Sequence, residues 1–108
     1  MTVNNLCETQ VFTPVVLAEK DREIEGVYIG DLLSWVMGKA NSGDAWITIM
    51  SNINTVAVAT LADTACVILA EGVTLDDEVK TTAENKGINV LSTKLSTYEA
   101  AVKLSQML

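Results

Sequence analysis

Apolar residues along this chain come in short bursts separated by polar segments of nearly constant length. Trp46-Ile-Thr-Ile-Met50, Cys66-Val-Ile-Leu-Ala70 and Ile88-Asn-Val-Leu91 are β-rich and recur at intervals of about 20 residues. The segments between them open with helix-start signals. Thr74-Leu-Asp-Asp77 and Ser96-Thr-Tyr-Glu99 both fit a capping box, in which the first side chain and the acidic one satisfy orphan backbone donors reciprocally. Gly87 stands where a helix should end in a left-handed residue. Strands alternating with helices over short connections predict βαβ units in a mainly parallel sheet of about four to five strands, with helices on both faces. The near-continuous apolar character of the bursts agrees, because parallel strands are covered on both sides.

The first 43 residues are less regular. Val11 to Leu17 is β-rich, and Pro14 makes it an edge or interrupted strand. Glu19 to Glu25 is charged and reads as a solvated connection. Gly26-Val-Tyr-Ile29 is a short strand, Gly30-Asp31 leads into a helix through Ala40, and Asn41-Ser-Gly43 turns into the Trp46 strand.

One interruption stands out. After Trp46 to Met50 the chain breaks into Ser51-Asn-Ile-Asn-Thr55 before becoming apolar again. Such a knot of amides and hydroxyls suits a helix cap, since Ser, Asn and Thr are preferred there. It also suits a binding site. In an open parallel α/β sheet, ligands sit outside the carboxyl ends of the strands, where helix N-termini point their free N–H groups. The residues at those ends make a candidate ligand site of Asp31, Ser51, Asn52, Asn54, Gly72 and Ser92. Neutral donors beside Glu71 favour a polar or cationic ligand, or a metal-bridged phosphate, over a bare polyphosphate.

Composition narrows the field. The 108 residues make one domain, residues 1–108, with room for a single core. Fourteen acidic residues against seven basic ones give a net charge of −7, and the basic residues are scattered singly. Phosphate backbones and anionic lipid are repelled by such a chain, so neither nucleic acid nor a membrane surface is an expected partner. The longest apolar stretch, Val56 to Ala70, is broken by Thr60, Asp63 and Thr64 and is too short to span a bilayer. Met1 to Thr9 lacks the basic start and apolar run of a signal peptide, and Cys7 and Cys66 give no disulfide framework. A cytoplasmic location is expected.

Catalytic chemistry is thin. The chain has no histidine, and so lacks the commonest general base and zinc ligand. Walker, dinucleotide-binding and nucleophile-elbow motifs are all missing. Asp76, Asp77 and Glu78 are adjacent carboxylates, better explained by the dipole of a helix first turn than by a metal. We expect no enzyme, catalytic residue, metal site or cofactor.

The stretch "GVYIGDLLSWVMGKANSGDAWITIMSNINTVAVA", with "CVILAEG" and "NKGINVLST" after it, resembles the DRTGG domain. The nearest likeness is to the small stand-alone DRTGG proteins associated with iron-only hydrogenase loci of anaerobic bacteria. It runs from residue 4 to residue 106 and is most specific over Tyr28 to Thr48 and Leu91 to Thr93. The resemblance implies an α/β fold like the N-terminal domain of HPr kinases. It also implies a non-catalytic domain that commonly self-associates and senses small molecules or nucleotides. The chain departs from the name-giving signature. Asn52 and Asn54 stand where the family places its Asp-Arg pair, and Ala70-Glu71-Gly72 stands for Thr-Gly-Gly, so only Gly72 carries over.

Helix faces point to a partner. Trp35 falls about 130° from the centre of the stripe formed by Leu32, Leu33, Val36, Met37 and Ala40. The helix from 54 to 63 is apolar nearly all round, with Val56 opposite Leu61, and the last helix is apolar over two arcs, one of them Ala101-Leu104-Leu108. A single domain of this size has no second layer to cover so much, so a homodimer interface built on Trp35, Val56 and Leu104 is the economical explanation, with scattered exposed apolar residues as the bland alternative. The chain thus reads as a regulatory or sensor domain, a homodimer binding a small ligand, nucleotides included, or a signalling protein. The alternative is a structural interaction subunit of a hydrogenase-linked assembly, with no ligand.

Overall fold

A computed structural model describes residues 1–108. In chain order the elements are α1 (Val3–Glu8), β1 (Thr13–Val16), β2 (Gly26–Ile29), α2 (Leu33–Lys39), β3 (Asp44–Thr48), α3 (Ile53–Ala62), β4 (Cys66–Leu69), α4 (Asp77–Asn85), β5 (Val90–Ser92) and α5 (Thr97–Met107). The strands form one sheet in the order β1-β5-β4-β3-β2. β2 to β5 are parallel, and β1 joins β5 antiparallel. The expected single α/β domain with a five-stranded, mainly parallel sheet is therefore what the chain forms.

Each crossover from β2 to β5 steps to the next strand in one direction. Right-handed connections of that kind put α2, α3 and α4 on the same face. Their buried residues Val36, Val56, Val58, Ala59, Val79 and Ala83 pack with Trp46, Val67, Leu69 and Val90 of the strands. The alternate strand residues Ala45, Ile47, Cys66, Ile68 and Leu91 face the other side, under α1 and α5, with Val3, Leu6, Ala100 and Leu104. Burial pushes the Cys66 thiol up to about 12, so it is an inert core group. Trp46 is fully buried, and its indole N–H reaches the Gly30 carbonyl at 2.9 Å.

The local signals act as their chemistry predicts at most helix ends. Asn52 caps α3, its side-chain oxygen accepting from the Asn54 and Thr55 amides, and Ser96 and Glu99 form the reciprocal box at α5. Gly87 follows α4 with φ +72°, a conformation that glycine adopts without a Cβ penalty. The box expected at Thr74 does not form. Leu75 is buried against the α4 layer, which holds the backbone before it extended and delays the helix to Asp77 with Asp76 as an uncapped start.

Two helix-face expectations are corrected. Val56 is 2% exposed and Leu104 is 0% exposed, so neither belongs to a surface another molecule could reach. α3 lies between α2 and α4 in one layer, and its neighbours cover both flanks, which an isolated helical wheel cannot show. Leu104 is pressed onto the sheet with Ala100. Leu61 and Tyr98, on the same helices, are among the exposed residues.

The charged stretch after β1 is more than a solvated link. Ile24 is buried, and Arg22 grips Asp63 through both guanidinium nitrogens at 3.0–3.1 Å. Asp63 sits in the left-handed region at the end of α3. Its side-chain hydrogen bonds from Arg22 and Ser42 hold its carboxyl below the usual range. The two sheet edges differ. β1 carries Pro14 and a register shift between Pro14 and Val16, whereas β2 has neither proline, charge nor bulge within Gly26–Ile29.

Candidate functional site

The carboxyl ends of the four parallel strands lie along one rim of the sheet, and that rim divides into two unlike halves. At β2 and β3 the polar side chains are spent on the fold. Asp31 Oδ1 accepts from the Thr48 hydroxyl at 2.8 Å and from the Ile49 amide at 3.0 Å, latching the end of β2 to the end of β3. The Met50 amide then donates to Thr48 Oγ1 at 3.2 Å. The Asn52 oxygen is engaged by two amides of the first turn of α3, at 2.9 and 3.3 Å. Asn54 is exposed on that turn, and Ser51 is half-buried beside it. The polar knot acts first as a cap.

At β4 and β5 the rim opens. The chain leaves β4 through Glu71 and Gly72, two consecutive left-handed residues with φ +62° and +72°. This tight turn is tied across to the end of β5. Glu71 donates to the Leu95 carbonyl at 2.8 Å and Gly72 to the Thr93 carbonyl at 2.9 Å. The Thr93 hydroxyl accepts from the Leu95 amide at 3.2 Å, and the residue is 6% exposed. From here α4 runs back over one face of the sheet and α5 over the other. Loops that part to opposite faces leave a gap between them, and this is where ligands lodge in open α/β sheets.

The gap is a crevice of two adjoining cavities. One, of about 400 Å³, is bounded by Gln10, Thr13, Thr93, Lys94 and Lys103, with the hydrophobic residues Val11 and Leu95. The other, of about 280 Å³, lies between Gly72, Thr74, Ser92 and Lys94, and shares Thr13 and Thr93 with the first. Of the six expected ligand residues, Gly72 and Ser92 line this crevice. Asp31, Ser51, Asn52 and Asn54 line neither cavity. Sequence reasoning missed Thr13, Lys94 and Lys103. The visible signal was Lys94, directly after the strand-end Ser92-Thr93 pair.

The chain has no group of three or more His, Cys, Asp or Glu side chains placed to hold a metal. No helix is long and apolar enough to cross a membrane. On the far side of the rim, Ile29, Leu32, Trp35, Met37, Ile49 and Ile53 are exposed around α2 and the ends of β2 and β3. One face of Trp35 is covered by Lys39, whose Nζ stands 4.1 Å from the ring centroid.

A mainly parallel sheet with an antiparallel edge strand and crossover helices on one face defines a small α/β domain with an open crevice at its strand ends. The chain belongs to the DRTGG domain family, whose profile matches residues 14–107. Its fold is similar to one in the crystal structure of the CBS and DRTGG domains from the regulatory region of Clostridium perfringens pyrophosphatase, complexed with the activator diadenosine tetraphosphate. The TM-score is 0.71 at 16% identity, over 93% of this chain and 44% of that one. At that identity the likeness is one of fold, and the chain spans less than half of the matched structure. No curated protein matches the sequence.

Proposed function

We propose that this chain is a non-catalytic regulatory domain that senses a small molecule in the β4–β5 crevice and works as a homodimer. The crevice carries the reading. It sits at the point where α4 and α5 part, and it is held by backbone hydrogen bonds from Glu71 and Gly72 to the β5 loop, so its shape exists before a ligand arrives. A site formed in advance loses little ordering entropy on binding. Family membership supports a regulatory role, since the pyrophosphatase structure of similar fold contains a DRTGG domain within a regulatory region. A nucleotide is one candidate ligand. The chain lacks histidine and any convergent base–nucleophile set, which supports a role without turnover. Two free cysteines fit a reducing, cytoplasmic compartment.

Thermal-shift screening of nucleotides and redox metabolites tests the reading, because a ligand that binds only the folded state must raise the melting midpoint. At a hundredfold excess over its dissociation constant the gain is about 2.7 kcal/mol. Failure of the whole panel to move the midpoint would sink the sensing role. A second reading is favoured by the exposed apolar group around Trp35, Leu32 and Ile29, which suits a ligand-free interaction subunit docking a signalling or hydrogenase-related protein. Under that reading the midpoint responds to a protein partner and to no metabolite.

A further inference from the structure

The geometry points to an oxyanion-bearing small molecule, such as a phosphate-carrying metabolite, held in the β4–β5 crevice between Lys94 and Lys103. This rests on the proposed function and specifies the charge of its ligand. In a chain of net charge −7, cations should be drawn into ion pairs. Arg22 is paired with Asp63 and Lys80 with Asp77, and Lys39 lies over Trp35. Lys20, Lys86, Lys94 and Lys103 have no carboxylate partner, and of these Lys94 and Lys103 reach one cavity from different elements, the β5 exit loop and the middle of α5.

No acidic residue lines either half of the crevice. The carboxylate that the sequence places at this strand end, Glu71, is absent from both linings, and its backbone amide is spent on Leu95. The charged side chains that line the crevice are thus both cationic, in an acidic protein. That combination focuses anions on the crevice while the rest of the surface repels them. The same lining includes Thr13 and Thr93, whose hydroxyls can donate to an oxyanion, and the Lys94 amide makes no hydrogen bond within the chain. Both flanks of the crevice carry non-glycine residues in the left-handed region, Gln10 at φ +64° and Glu71 at φ +62°. Strain of that kind persists where a particular loop shape is worth keeping. A volume of about 400 Å³ falls within the range of small-molecule sites. An oxyanion is thus expected where the neutral donors beside Glu71 favoured a polar or cationic ligand, or a metal-bridged phosphate, over a bare polyphosphate.

The test uses inorganic pyrophosphate and ADP as probes, titrated into the isotope-labelled full chain and into the Lys94→Ala/Lys103→Ala variant. The expected result is saturable movement of the Thr93, Lys94 and Leu95 amide signals in the parent. Affinity should fall at least about tenfold in the variant, and it should also fall in the parent as salt is raised. The melting midpoint without probe should be unchanged, because both side chains are exposed and unpaired. Equal affinity in the variant, or movement centred on Asn52 and Asn54, overturns the inference. So does a crevice that neither probe perturbs. In that case neutral and cationic compounds decide the broader reading. Movement of the same amides by any of them leaves the sensing role standing, and silence from all of them removes it as well.

Discussion

Asn89 is the residue whose replacement should cost the fold most for its size. It is 2% exposed at the entrance to β5, and its side chain bridges three segments. Its oxygen accepts from the Glu19 amide at 2.8 Å, while its nitrogen donates to the Glu19 carbonyl at 2.7 Å and to the Ala65 carbonyl at 3.0 Å. Asn89 thus pins the long connection from β1 to β2 beneath the amino ends of the central strands. Truncation in Asn89→Ala removes three hydrogen bonds worth about 0.5–1.5 kcal/mol each. It also leaves the Glu19 and Ala65 backbone groups short of partners. We expect a loss of about 3 kcal/mol, and, for a domain of this size, a fall in melting midpoint of more than about 10 °C. Urea unfolding followed by circular dichroism measures it, with the slope m required to stay constant. Asn89→Asp sharpens the test. It keeps the acceptor for Glu19 but turns the two donors into repulsions, so near neutral pH it should be at least as damaging as alanine. Its deficit should shrink as acid protonates the carboxyl and restores a donor. A loss below about 1 kcal/mol in Asn89→Ala would refute this account of the connection.

Three further outcomes are expected. Trp35→Glu places a charge on the exposed face of α2 and should convert a dimeric parent to monomer in sedimentation; a monomeric parent, or an undisturbed dimer, removes Trp35 from the interface. Asp63→Asn keeps a residue that tolerates the left-handed backbone but loses the charge facing Arg22. Because folding lowers the Asp63 pKa, its contribution is present above the unfolded value and disappears as pH falls through the folded one. The pair is largely exposed, so the variant should be less stable by under about 1 kcal/mol at neutral pH and equal to the parent in strong acid; a gap that persists in acid contradicts the ion pair. Thr64→Val exchanges a buried hydroxyl that has no hydrogen-bond partner for a methyl group, and should raise stability by about 1 kcal/mol in the same urea assay; a loss would mean that the hydroxyl is satisfied in solution.

Local signals were legible wherever one residue decides one conformation. Gly26 to Ile29 is a strand as read, Asn52 and Ser96 cap their helices, and Pro14 marks an edge strand. Features that depend on what lies alongside were hidden. Val56 looks surplus on a helical wheel but is covered because α3 has a helix on each side. α1 escaped notice because it is only six residues long, and its box uses Asn5 in place of an acidic residue. The candidate site was half visible. Gly72 and Ser92 follow from the rule that loops gather at strand ends. Lys94 and Lys103 read as scattered single charges until the turn from β5 into α5 folds them toward one cavity. Asp31, by contrast, was legible as a strand-end carboxylate but not as the latch between β2 and β3.

The unequal edges of the sheet set a limit on how it can be extended. A strand laid against β1 meets Pro14, which has no N–H to offer, and a ladder already out of step, so addition there is blocked. β2 presents an unbroken edge without a gatekeeper charge. A sheet with one open end can gain a neighbour there and nowhere else. If two copies met along β2, both outward edges of the joined sheet would be β1, and growth would stop at two. The proline that interrupts the first strand is thus one of two stops against open-ended growth, and a Pro14→Val chain would keep only the register shift.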